Sequence, residues 1–113
     1  MKTLTLEKYR RAGQTRKEVG GFVFVLQRPT QAEVYGRAER KVDVEFVAQH
    51  VADWENVREI DLLPGGDPEP VAFDVALCAA WLADRADLWP ELATALVESF
   101  TAYEEAQAAR GKP

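Results

Sequence analysis

Few side chains in this chain could make or break a bond. His50 is the only histidine, Cys78 the only cysteine and Ser99 the only serine. His50 lies at the edge of an apolar helical stripe and reads as a packed histidine, or one bonded to a loop carbonyl, rather than a general base. Ser99 lies in no Gly-x-Ser-x-Gly elbow, so no Ser-His-Asp set is suggested. Cys78 sits among Leu77, Ala79 and Ala80 and reads as a small buried apolar residue. One histidine and one cysteine cannot complete the usual zinc ligand sets, so no metal and no cofactor is expected. The stretch from Asp61 to Glu69 holds three carboxylates and two glycines, but not in the alternating-oxygen order of a calcium loop. No Gly-Lys-Ser/Thr follows Gly65-Gly66, which excludes a phosphate loop. The expectation is a protein that is not an enzyme.

What remains is apolar surface. The candidate partner-binding residues are Phe22, Phe24, Trp54, Trp81, Trp89, Leu96, Phe100 and Tyr103. Aromatic side chains join large apolar area to few rotatable bonds, which suits interface anchors. Of the three tryptophans, at least two are expected in the core, and one left partly exposed could anchor a partner.

The elements that must position these residues are marked locally. Residues 1–15 are polar, with Thr5 able to cap a short turn containing Leu6 and Tyr9. Gly20-Gly21 separates Lys17–Val19 from Phe22–Leu26, and two glycines permit the positive φ angles of a tight hairpin. In the second arm Phe22, Phe24 and Leu26 alternate with Val23 and Val25, so both faces are apolar and cover is expected on both. After Pro29, Thr30-Gln31-Ala32-Glu33 is a capping box and predicts a helix from Gln31 through Ala38. Val44, Val47, Val51 and Trp54 fall at spacings of three and four, which predicts a helix over 43–53. A strand through Val42, Val44 and Phe46 is the rival reading. Three prolines among residues 64–70 make 55–73 a long loop, with Val71 and Phe73 anchoring its end. Asp74 should cap a helix carrying Val75, Cys78, Ala79 and Leu82, with Leu77 and Trp81 beside them. Asp87 could cap the last helix, which tolerates Pro90 in its first turn. There Trp89, Leu92, Leu96, Phe100 and Tyr103 repeat at helical spacing. The fold class expected is mainly α with a small N-terminal β-hairpin (α+β), four to five helices forming a small bundle packed on the hairpin. One domain over 1–113 is expected, with 1–15 and 106–113 flexible.

The chain's 113 residues support one core, and 47% apolar with 29% charged residues is globular composition rather than disorder. No apolar run approaches the ~20 residues of a membrane span. The first residues hold no apolar signal segment, so the chain is expected to stay in the cytoplasm where it is made. The net charge of -5 disfavours nucleic acid as a partner. The basic residues Lys8, Arg10, Arg11, Arg16, Lys17, Arg37, Arg40 and Lys41 nevertheless gather early, and carboxylates dominate after Asp43.

Val51-Ala52-Asp53-Trp54-Glu55-Asn56-Val57, then Asp61-Leu62, a Gly/Pro-rich loop, Pro70-Val71-Ala72-Phe73-Asp74 and Trp81-Leu82-Ala83-Asp84 together resemble tail assembly chaperones of long-tailed bacteriophages. Phe24-Val25-Leu26-Gln27-Arg28-Pro29-Thr30 is similar to the strand-to-helix entry of that family. The resemblance covers about residues 16–105. It implies a protein that binds the tape measure protein during virion assembly, keeps its apolar helices soluble and helps recruit tail tube subunits. It also implies residence in the host cell cytoplasm, absence from the finished virion and, in many such phages, a longer frameshifted form. Self-association is compatible with it. The rival reading is a virion structural component, such as a head–tail connector or tail-completion protein. Two others are a small enzyme using His50 or Cys78, and a nucleic-acid-binding regulator using the Arg10–Lys17 cluster.

Overall fold

Gly20 and Gly21 take φ of 61° and 85°, the two positive values that a two-residue hairpin turn matching strand twist requires. They join β1 (Gln14–Val19) to β2 (Phe22–Gln27), paired antiparallel from Gln14↔Gln27 to Val19↔Phe22. The computed structural model describes residues 1–37 and 41–111. Within them the fold is α+β, about 49% helical, with helices α1 (Leu6–Ala12), α2 (Gln31–Tyr35), α3 (Val44–Gln49), α4 (Glu59–Leu62), α5 (Val75–Ala83) and α6 (Trp89–Arg110).

The sheet has a third strand, β3 (Val51–Glu55), giving the order β1-β2-β3. This corrects the helix expected over 43–53. That helix ends at Gln49, with His50 as its C-cap, and the chain turns into a strand antiparallel to β2. The pairing passes from Val25↔Asp53 to Leu26↔Val51 and skips Ala52. An extra residue on one strand resets the alternation of side chains. Val51 and Trp54 therefore both face inward, at 4% and 5% exposure. In a strand without the bulge, residues three apart would face opposite sides. The spacing that looks helical is that of a bulged strand.

The inner sheet face carries Val19, Phe24, Leu26, Val51 and Trp54, which join Val47, Cys78, Leu82, Leu88, Leu92 and Leu96 in one core. The outer face of β2, where packing by helices or by another chain was expected, carries side chains of the ladder itself. Val23 and Val25 are half-buried, beside Glu18, Glu55, Arg16 and Asp53 in the ladder. Arg16 Nε donates to Glu55 at 2.9 Å across that face. Charged side chains cover such valines with their stems while their heads stay in water.

The expected loop over 55–73 contains α4, a single turn. Its fold is local: Glu59 N–H donates to the Glu69 carbonyl, Ile60 N–H to that of Asp67, and Val71 N–H to that of Val57, each at 2.9 Å. Phe73 stacks edge-on against Trp54 at 5.3 Å, and Trp54 Nε1–H donates to the Val71 carbonyl at 2.8 Å, so both expected anchors sit on the core.

Several caps match their sequence signals. Thr30 Oγ1 accepts from Glu33 N–H at 3.0 Å, and Glu33 accepts from Thr30 N–H at 2.9 Å. Asp74 caps α5 and Thr5 caps α1. Helix α2 ends at Tyr35, before the expected Ala38, which lies outside the described residues. Asp87 does not cap α6: the N-cap is Leu88, with no side-chain bond. Asp87 instead accepts from Arg85. On α5 the expected Cys78 and Leu82 are fully buried, Trp81 joins them, and Val75 in the first turn is instead 63% exposed.

Helix α1 buries no residue, and α6 beyond Glu104 is exposed through Arg110. The radius of gyration, 16.0 Å, exceeds the value of about 13 Å for a compact chain near this length.

Candidate binding surface

Helix α6 is the longest element, and its stripe builds the surface. Leu92, Leu96 and Phe100 lie one turn apart and are buried, Leu92 and Leu96 within the shared core. One residue round the helix, Val97 stays 49% exposed. Leu96, Val97 and Phe100 form one side of an apolar groove of about 160 Å³. Pro29 and Val34 enclose it from the strand-to-helix entry, and Val42 and Phe46 from the start of α3. Arg37 is its only charged lining residue among the described residues, with the guanidinium 4.4 Å from the Phe46 ring centre. Tyr35 holds α2 to α6: its ring meets Phe100 edge-on at 5.9 Å, and its hydroxyl donates to Glu104. Such a volume takes about one aromatic or branched side chain, by comparison with engineered apolar cavities.

A second groove, about 370 Å³, runs between α4 and α5. Leu62, Leu63, Val71, Leu77, Ala80 and Trp81 line it, with Glu59 and Asp84 as its only charged residues among those described. Leu63 and Leu77 are 59% and 37% exposed.

The eight sequence candidates divide. Phe24, Trp54, Trp81, Leu96 and Phe100 are buried, at 0 to 8% exposure; three of them still reach a groove, Trp81 from α5 and Leu96 with Phe100 from α6. Phe22, Trp89 and Tyr103 are half-buried. Trp81 gathers Phe22, Phe24 and Trp54 around it at 5.1, 6.2 and 5.8 Å between ring centres. Arg28 lies 3.6 Å over the Tyr103 ring, a cation–π contact. Trp89 packs on the core at the start of α6, away from both grooves. Val34, Arg37, Val42 and Val97 line the α6 groove without being among the expected partner-binding side chains. Val97 lies one position off the apolar stripe, Val34 sits in the short α2, and Arg37 and Val42 lie between α2 and α3, so no single apolar stripe gathers them.

His50 is 3% exposed. Its Nδ1 lies 2.8 Å from the Phe46 carbonyl and its Nε2 3.0 Å from Glu33 Oε2. A neutral imidazole donates from one nitrogen, whereas the doubly protonated ring donates from both. Burial would raise the Glu33 carboxyl, but the Thr30 amide, the charge of His50 and the Thr30 hydroxyl outweigh it and hold the group below its ordinary value. His50 thus staples the end of α3 to the start of α2. Cys78 is fully buried, which pushes its thiol up to about 12. No helix among the described residues is long and apolar enough to cross a membrane. No group of three or more His, Cys, Asp or Glu there could hold a metal ion.

Fold and surface together define a class: a small α+β domain with apolar grooves on two sides of a shared core. Comparison with protein-family models, curated proteins and solved structures finds no match to this chain.

Proposed function

We propose that this chain is a tail assembly chaperone of a long-tailed phage, which holds apolar helices of the tape measure protein in the host cytoplasm without making or breaking a bond. The observation that carries this reading is the α6 groove, an apolar socket beside the half-exposed Val97. An amphipathic helix laid along α6 would seat one large side chain there, in the helix-in-groove mode. The likeness over Val51–Val57, Pro70–Asp74 and Trp81–Asp84 supports it, because Trp54, Phe73 and Trp81 from those stretches pack together. Tail tube subunits would be recruited through the same complex.

Co-expression with the tape measure protein of the same phage tests the reading. Co-purification and a more soluble client are expected, and the chain should be missing from purified particles. A client that stays insoluble and never co-purifies overturns the proposal. Stoichiometric presence in particles would instead favour a virion component.

A further inference from the structure

Helix α1 stands out because none of its residues is buried among the described residues. Leu4, Leu6 and Tyr9 are 58%, 64% and 56% exposed, and Leu6 and Tyr9 border an open cleft above Arg28 and His50. A bond from Gln27 Nε2–H to the Arg10 carbonyl at 3.0 Å, and one from Arg28 N–H to the Gly13 carbonyl at 2.8 Å, tether its end. A seven-residue helix with no packed face is too short to be stable alone in water. Its charge is one-sided: Lys2, Lys8, Arg10 and Arg11 against Glu7 over residues 1–12.

The α4–α5 groove is its complement. Residues 58–85 hold the carboxylates of Glu59, Asp61, Asp67, Glu69, Asp74 and Asp84 against two arginines, of which Arg58 pairs with Asp61 and Arg85 with Asp87. Glu59 and Asp84 border the apolar floor. Asp84 is the C-cap of α5, at the helix end where the backbone dipole favours a cation. The lengths agree: about 10 Å for α1 and about 14 Å for α5.

We propose that the N-terminal arm, Met1–Ala12, docks in the α4–α5 groove of a second copy, with Leu6 and Tyr9 on the apolar floor, Arg10 beside them against the acidic rim, and Lys8 and Arg11 adding positive charge at longer range. Arm and groove are different surfaces, so the contact is heterologous and builds rings or open chains rather than a two-fold dimer. Opposite charges steer the encounter and make it sensitive to salt. This inference does not rest on the chaperone reading and needs no client.

Sedimentation velocity of the full chain, over about 1 to 500 μM and at low and high salt, tests it. Concentration-dependent association that weakens with salt is expected. Arg10→Glu/Arg11→Glu should weaken it at least tenfold, and so should Glu59→Lys/Asp84→Lys. Mixing the two variants should restore mixed assemblies, because reversed arms then meet reversed grooves. If the groove double variant misfolds by circular dichroism, Asp84→Lys alone serves, since it places a favourable cation at a helix C-terminus. A chain monomeric throughout the range overturns the proposal, as does association indifferent to the arm reversal or no recovery on mixing. Client binding lost in the groove variants, with no self-association, would give the groove to the client and likewise overturn it.

Discussion

Val97→Asp separates the work of the α6 groove from its folding. Val97 is 49% exposed at the groove's edge, so about half of its contact area is already in water. Full burial of a valine is worth about 1.5 kcal/mol at the low end, and valine and aspartate have similar helix propensities. The cost to folding should be about 1 kcal/mol or less, a fall of about 5 °C in Tm. A client side chain filling the 160 Å³ socket would contribute about 2 kcal/mol, and the carboxylate would sit unpaired at the covered edge. Loss of that contribution weakens the complex about 30-fold. Isothermal titration calorimetry against a synthetic apolar helix of the tape measure protein gives the affinity, and circular dichroism on heating gives the stability. The adjacent Leu96 is fully buried, so Leu96→Ala should cost about 2 to 5 kcal/mol of stability. Peptide affinity for Val97→Asp unchanged within about twofold, a loss under about 0.5 kcal/mol, would refute the reasoning that this socket grips the client.

Other consequences follow from the same geometry. With its thiol pushed up to about 12, Cys78 should stay unmodified by iodoacetamide at pH 8 in the folded protein and react once urea unfolds it, as read by mass spectrometry. Glu33 is held below its ordinary value of 4.5, so its contribution is present above about pH 5 and lost as pH falls through the folded value; in denaturant titrations Glu33→Gln should flatten that acid limb. Gly20→Ala places a non-glycine residue at φ 61°, with its Cβ 2.8 Å from Leu88, and should lower stability by about 1 to 3 kcal/mol in urea. Trp54→Phe removes the donor to the Val71 carbonyl and should cost about 1 to 3 kcal/mol by the same measurement.

The aromatic cluster ties these sites together. Trp81 lies under the α4–α5 groove and touches Phe22, Phe24 and Trp54 from two strands. A tryptophan enriched at interfaces for its large apolar body serves here as the keystone between sheet and helix. The exposed contacts fall to smaller neighbours such as Leu63, Leu77 and Val97.

What the sequence determined by itself was whatever a few consecutive residues can settle. Thr30 and Glu33 form the reciprocal bonds of a capping box, Gly20-Gly21 takes the two positive φ values of the hairpin, and Asp74 caps α5. The stripe Leu92–Leu96–Phe100 buries as its period requires. Each is a bond or a periodicity closed within one or two turns of chain. Tertiary structure alone decided β3, because strand pairing draws its hydrogen bonds from β2, some 30 residues earlier, and the bulge at Ala52 disguises the strand's period as a helix's. It alone decided the grooves too. The α6 socket needs Pro29, Val34, Phe46 and Phe100 brought together from distant parts of the chain, and no spacing along a single element encodes such a convergence. The charge contrast between arm and groove is written in the residue types, but only the fold leaves α1 uncovered and opens the acid-rimmed face of α5.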